Sequence, residues 1–124
     1  MIAKASIAAL LSVVILAGTA SAATPNVRKA GVCDGSSRSA VVVTQYNATT
    51  LKVRFVISRS TPGQTWQLFG SDNGLRIFAI NRVVNAAGTA AVSRLVKDRP
   101  GTDTIKATGL NLTTGETCSV SMAY

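Results

Sequence analysis

Apolar and polar residues alternate along most of this chain. The clearest run is LKVRFVIS, residues 51–58, with Leu51, Val53, Phe55 and Ile57 on one face and Lys52, Arg54, Val56 and Ser58 on the other. A period of two is that of a β-strand with one face buried. Residues 39–46, SAVVVTQY, are β-branched and apolar and predict a strand before it; residues 64–70, QTWQLFG, set Trp66 and Leu68 on one face after it. Asn73-Gly74 is the signal of a two-residue hairpin turn into a fourth strand over 75–84. Residues 89–96 put Ala90 and Val92 inward, with Leu95 expected to turn in through a bulge and Arg94 outward. A loop at Pro100-Gly101 leads to a sixth strand over 104–111 that buries Ile105 and Ala107, and the last strand carries Cys118, Val120 and Met122 on one face. Seven strands at this spacing, with no helical period, predict an antiparallel β-sandwich or barrel occupying residues 38–124.

The first 37 residues break the pattern. Residues 1–22 hold one cation, Lys4, an apolar run of eleven residues from 7 to 17, and small residues at 20–22. These are the parts of a cleaved secretory signal peptide, and the run is well short of the roughly 20 residues that span a bilayer as a helix. Cleavage after Ala22 would leave 102 residues, the length of one domain. Residues 23–37, ATPNVRKAGVCDGSS, have no sustained period and read as a leader ending in a turn.

That leader contains Cys33, and the other cysteine of the chain is Cys118. In an exported protein two cysteines without a competing thiol are expected to pair. A redox or metal role would need a CxxC or companion ligands, and the chain has no histidine. In an immunoglobulin-like sandwich the first and last strands are neighbours, so a bridge between Cys33 at the entrance to the first and Cys118 in the last would staple both chain ends. Antibody domains instead bridge two inner strands. Trp66 on the third strand and the turn RLVKDRPGTD before the sixth fit the immunoglobulin and fibronectin type III layout, whereas Ile105 stands where many such domains keep a tyrosine.

Together, GQTWQ at 63–67, the Asn73-Gly74 turn, RLV at 94–96, PGTD at 100–103 and TGETC at 114–118 resemble a group of small secreted actinobacterial proteins of unassigned function. The resemblance implies a seven-stranded immunoglobulin-like or fibronectin III-like antiparallel β-sandwich with one disulfide, following a cleaved signal peptide. It carries over no catalytic residue.

The residue inventory argues against catalysis. Without histidine a serine nucleophile lacks its usual base, and the expected mature chain has no Ser-x-x-Lys arrangement to replace it. All five acids, Asp34, Asp72, Asp98, Asp103 and Glu116, fall in or beside predicted turns, where carboxylates satisfy turn backbone. Asp98 and Asp103 bracket the Pro-Gly loop, yet two carboxylates fall short of the 6 to 8 oxygens that calcium takes. The expectation is therefore no enzyme, no metal and no cofactor.

Positive charge is the remaining signal. The whole chain carries 13 Lys and Arg against five acids, a net +8, and loss of Lys4 with the signal peptide would leave +7. Outward parity places Lys52 and Arg54 on the second strand and Arg94 on the fifth, with Arg76 and Arg82 contributed by the fourth; these strands are expected to share a sheet. The other outer face, with Gln67, Lys106, Thr108, Ser119 and Ser121, is expected to be mostly neutral. Two readings stay open: Lys52, Arg54 and Arg94 as an anion-binding face for an envelope polymer or acidic protein, or charge that only keeps an exported monomer soluble. An inhibitor or small-ligand carrier using the loops SRSTPGQ and VKDRPGT at one end of the sandwich is the alternative function. Nucleic acid is not an expected partner, because Trp66 is assigned with Phe55 and Ile105 to the core and Phe69 and Phe78 are too few for a stacking platform.

Overall fold

A computed structural model describes residues 26–124; the expected signal segment, residues 1–22, lies outside them. The described chain is all β. Its strands are β1 (Asn26–Ala30), β2 (Val32–Cys33), β3 (Arg38–Asn47), β4 (Thr50–Ser58), β5 (Thr65–Asp72), β6 (Leu75–Val83), β7 (Ala90–Lys97), β8 (Thr104–Asn111) and β9 (Thr117–Ala123). Two antiparallel sheets pack face to face, one in the order β1-β3-β4-β7 and the other β2-β9-β8-β5-β6. The seven strands expected from the alternation are β3 to β9. Two more lie in the leader, where no strand was expected. Every residue of β1 is exposed, so it has no buried face to leave a period in the sequence, and β2 is only two residues long.

The inward positions read from the alternation form the core. Leu51, Val53, Phe55 and Ile57 of β4 meet Trp66 and Leu68 of β5, Ile105 and Ala107 of β8, and Cys118, Val120 and Met122 of β9 in one buried cluster. Phe55, Trp66 and Ile105 have no exposed surface, and burying side chains of this size contributes roughly 1.5–3 kcal/mol each. The Trp66 indole N–H donates to Ser60 Oγ at 2.8 Å, so its polar atom costs nothing on burial. Phe78 of β6 stacks on Phe55 with ring centroids 6.3 Å apart. Its ring occupies the space beside Gly70, where a Cβ would come within 2.3 Å of it, which is why β5 has a glycine in an otherwise bulky inward row. The Asn73-Gly74 turn forms as expected, with φ of 49° and 84°.

Three expectations of arrangement are corrected. The β4–β7 register runs unbroken from Thr50 opposite Lys97 to Ile57 opposite Ala90, so there is no bulge at Leu95, which is exposed on the outer face. The fourth expected strand, β6, sits at the edge of the second sheet and not beside β4 and β7. The loops SRSTPGQ and VKDRPGT lie at opposite ends of the sandwich: Ser60 and Gly63 bond to Gly88 and Val84, whereas Asp98 bonds to Thr49 at the far end.

The leader crosses from one sheet to the other at Gly31. Upstream, β1 pairs with β3; downstream, β2 pairs with β9, placing Cys33 directly opposite Cys118. The two are joined by a disulfide with Cα atoms 4.0 Å apart. Cys33 is thus on an added edge strand of the second sheet, not at the entrance to the first of the seven. The crossing is tight: a Cβ on Gly31 would lie 2.4 Å from Ser39 Oγ and 2.5 Å from Ser119 O. Next to the bridge, Asp34 accepts from the Thr117 N–H and hydroxyl at 2.9 and 3.1 Å, and Glu116 accepts from the Ser37 N–H and hydroxyl at 3.0 and 2.8 Å. Thr117 donation holds the Asp34 carboxyl below its usual range.

Reducing the bridge frees an 85-residue closure and should lower stability by about 4 to 5 kcal/mol in the chain-entropy account, measured by urea unfolding with and without reductant. Gly70→Ala should cost about 1–3 kcal/mol by displacing the Phe78 ring, and unchanged stability in the same assay would contradict the packing described.

Candidate functional site

None of β1, β3, β4 and β7 contains an Asp or Glu. Register fixes which of their side chains share the outer face. Arg28, Val42, Arg54 and Ser93 form one cross-strand row, Asn26, Thr44, Lys52 and Leu95 the next, and Ala30, Ala40, Val56 and Ala91 the row on the other side. Arg38 opposite Ser58 and Lys97 opposite Thr50 extend the face at its two ends. Five exposed cations, Arg28, Arg38, Lys52, Arg54 and Lys97, therefore run obliquely over a floor of small and β-branched residues. Arg28 and Arg54 are two strand spacings apart, about 9.5 Å, and Lys52 and Arg54 are alternate residues about 6.5 Å apart.

Of the three residues expected on this face, Lys52 and Arg54 are on it and Arg94 is not. Arg94 is in register with buried Val53, which turns its side chain toward the space between the sheets at the open edge of β7. There it is half-buried, and its Nη1 donates to Ser93 O at 2.9 Å. Arg82 makes a comparable edge contact, its Nε donating to Ala91 O at 3.2 Å and so tying β6 to β7. The residue that reading the sequence missed is Arg28. It comes from the leader, and only its pairing with Val42 brings it beside Arg54.

The opposite outer face is less neutral than expected. A hollow of about 310 Å³ is lined by Phe69, Ser71, Arg76, Lys106 and Thr108, and a second of about 330 Å³ by Lys29, Val32, Lys106, Ser119 and Ser121. The Arg76 guanidinium stands over the Phe69 ring at 5.6 Å. Lys29 donates to Ser121 O at 3.1 Å.

The acids divide into two kinds. Asp34 and Glu116 satisfy turn and leader groups, the role expected of all five. Asp72 and Asp103 do not: they are 5% and 1% exposed, and among the described residues no donor reaches Oδ1 of either. Burial, followed by the nearby Asp72 carboxyl, pushes Asp103 up to about 6, and Asp98 adds to the effect. Elsewhere among the described residues, Cys33, Glu116 and Cys118 have ligand atoms within 4.8 Å of one another, but their two sulfurs are joined in the disulfide and leave one carboxylate. No helix of the described residues is long and apolar enough to cross a membrane.

No family model, curated protein or solved structure matches this chain. The chemistry of the two faces and of the acid cluster must therefore be read from their own geometry.

The raised Asp103 carboxyl gives a stability profile with a definite sign. Between the unfolded value near 4 and the folded value of about 6 the folded state holds the proton more tightly, so the stability contributed by this group is fully present below about pH 4 and is lost as pH rises to about 6. Unfolding titrations should show this decline between about pH 4 and 6, and Asp103→Asn should flatten it. A wild-type profile that rises across the same interval would contradict the assignment.

Proposed function

We propose that this protein is an exported, non-enzymatic binding domain whose β1-β3-β4-β7 face engages an anionic envelope polymer, such as a teichoic acid or acidic polysaccharide. The observation that carries the reading is the sheet without a single carboxylate, whose outer face presents Arg28, Arg38, Lys52, Arg54 and Lys97. Cations spread over an open, nearly flat face suit a long polymer of repeating charge better than one small anion. Export is supported by the disulfide, since such bonds persist in oxidising compartments, and by the signal-like N-terminus.

The sandwich is of immunoglobulin-like build in this reading. If β3 to β9 are labelled A, B, C, C′, E, F and G, the sheets are A-B-E and G-F-C-C′, the immunoglobulin plan with D missing and C′ present. The resemblance to small secreted actinobacterial proteins points the same way. A small-ligand carrier is a second reading, but its site moves: the two loops named for it are at opposite ends, and the hollow beside Phe69 and Lys106 is the place that could hold a compact anion.

The test is retention of the purified protein on immobilised teichoic acid. Lys52→Glu with Arg54→Glu should lose retention while stability changes by less than about 0.5 kcal/mol per exposed site. Arg76→Glu with Lys106→Glu makes the same change in net charge on the opposite face and should keep most of it. Retention by wild type should weaken steeply with salt. Equal loss in the two double variants would mean that net charge alone governs binding, and would contradict a defined face.

A further inference from the structure

The outer face of the β2-β9-β8-β5-β6 sheet carries no carboxylate: the single acid in these strands, Asp72, is buried on the inner side. Register sets Arg76, Ser71, Lys106 and Ser121 in one cross-strand row on that face, and Phe69, Thr108 and Ser119 in the next. Arg76 belongs to its row only because β6 is irregular. Phe78, two residues on, is buried in the core, so an unbroken strand would aim Arg76 inward as well. Instead Gly70 is in register with Phe78 and Ser71 with Arg76, which leaves Ile77 as the extra residue of a bulge, packed against the core. A bulge re-aims the side chains beside it, and this one turns an arginine out next to Ser71.

The same row lines a cavity. Arg76, Ser71 and Lys106, with Phe69 and Thr108, border the hollow of about 310 Å³, and Lys106 and Thr108 also border the neighbouring hollow of about 330 Å³. On the far side of the second hollow, Lys29 reaches across from the leader to Ser121 O at 3.1 Å. Each volume is at the lower end of the range of small-molecule sites. The Arg76 guanidinium stands over the Phe69 ring at 5.6 Å. That stacking limits the freedom of the side chain and leaves its N–H edge available to an oxyanion.

We propose that the two hollows form one site for a sugar phosphate, with the phosphate monoester between Arg76, Ser71 and Lys106 and the sugar over Thr108, Ser119 and Ser121. The donors of the first hollow come from three adjacent strands, β6, β5 and β8. A guanidinium fork, a hydroxyl and an ammonium can each meet a different terminal oxygen of a tetrahedral monoester, whereas a planar carboxylate offers two oxygens. Two cations also match the monoester's charge of about −1.5 to −2 near pH 7. Beyond Lys106 the lining is of hydroxyl groups, which both donate and accept, as sugar hydroxyls require. This inference rests on the small-ligand reading and names its ligand class; the polymer face lies on the other sheet.

Amide NMR titration of the folded, isotope-labelled protein with glucose 6-phosphate at fixed ionic strength tests the proposal, with inorganic phosphate and glucose in separate arms. The expected result is saturable shifts at Ser71, Arg76 and Lys106 and at Thr108 and Ser119. Inorganic phosphate should move the first three alone, with affinity about two- to tenfold lower, and glucose should move none at concentrations where glucose 6-phosphate saturates. Arg76→Gln and Lys106→Gln, both at exposed positions, should each weaken glucose 6-phosphate binding about tenfold or more. Lys52→Gln with Arg54→Gln should leave it unchanged. Retention on teichoic acid is read separately through the other face, so either result can fail without the other. Absence of saturation, shifts centred on Lys52 and Arg54, or undiminished affinity in both single Gln variants would overturn the site. Equal affinity for glucose 6-phosphate and inorganic phosphate, with Ser119 unmoved, would overturn the placement of the sugar.

Discussion

The strap that the leader makes around its crossing at Gly31 is the constraint on which the rest of the molecule's outer chemistry depends. A peptide of a dozen residues without a buried face cannot hold a place on a sandwich by hydrophobic burial, and every residue of β1 is exposed. Covalent and charge-assisted contacts hold it instead: the Cys33–Cys118 bridge, the Asp34 carboxylate on Thr117, and Ser37 on Glu116. With β2 locked on β9 and Gly31 too crowded to admit a side chain, the upstream residues are delivered to the free edge of β3. That pairing covers an edge that would otherwise be open to aggregation. It also sets Arg28 in the same row as Arg54.

Charge is segregated by this architecture more sharply than composition suggests. One sheet has only cations, on its outer face and edges, and the five acids are confined to the ends of the sandwich. At one end they do structural work as hydrogen-bond acceptors for the leader. At the other, Asp72 and Asp103 are buried while Asp98 is only half-buried, and burial of the two carboxyls burdens the fold unless a proton or counter-charge relieves them.

Much of the fold was legible because inward residues recur every second position. The rows Leu51, Val53, Phe55, Ile57 and Cys118, Val120, Met122 are where the alternation put them. Errors came where hydrophobicity was followed in place of parity. Once Val92 is inward, Arg94 must be inward and Leu95 outward in an unbroken strand, and the open edge of β7 lets an arginine occupy an inner position with its guanidinium reaching the rim. The same parity runs through Trp66, Leu68, Gly70 and Asp72, and it marks Asp72 as buried although its neighbourhood reads as a turn. Arg28 had no comparable signal, because its position follows from a disulfide and a crossing that no local pattern encodes. Which strands share a sheet, and which loops share an end, likewise depend on long-range pairing.

The central claim is that the bridge builds the leader onto both sheets and so completes the basic face. Amide hydrogen exchange across the Asn26–Ala30 strand, compared between the native protein and a Cys33→Ala, Cys118→Ala variant under folding conditions, tests it most directly. Loss of protection in β1 and in its partner edge of β3, with the β4–β7 and β5–β8 pairings still protected, is the predicted result. Undiminished protection of β1 without the bridge would contradict the account.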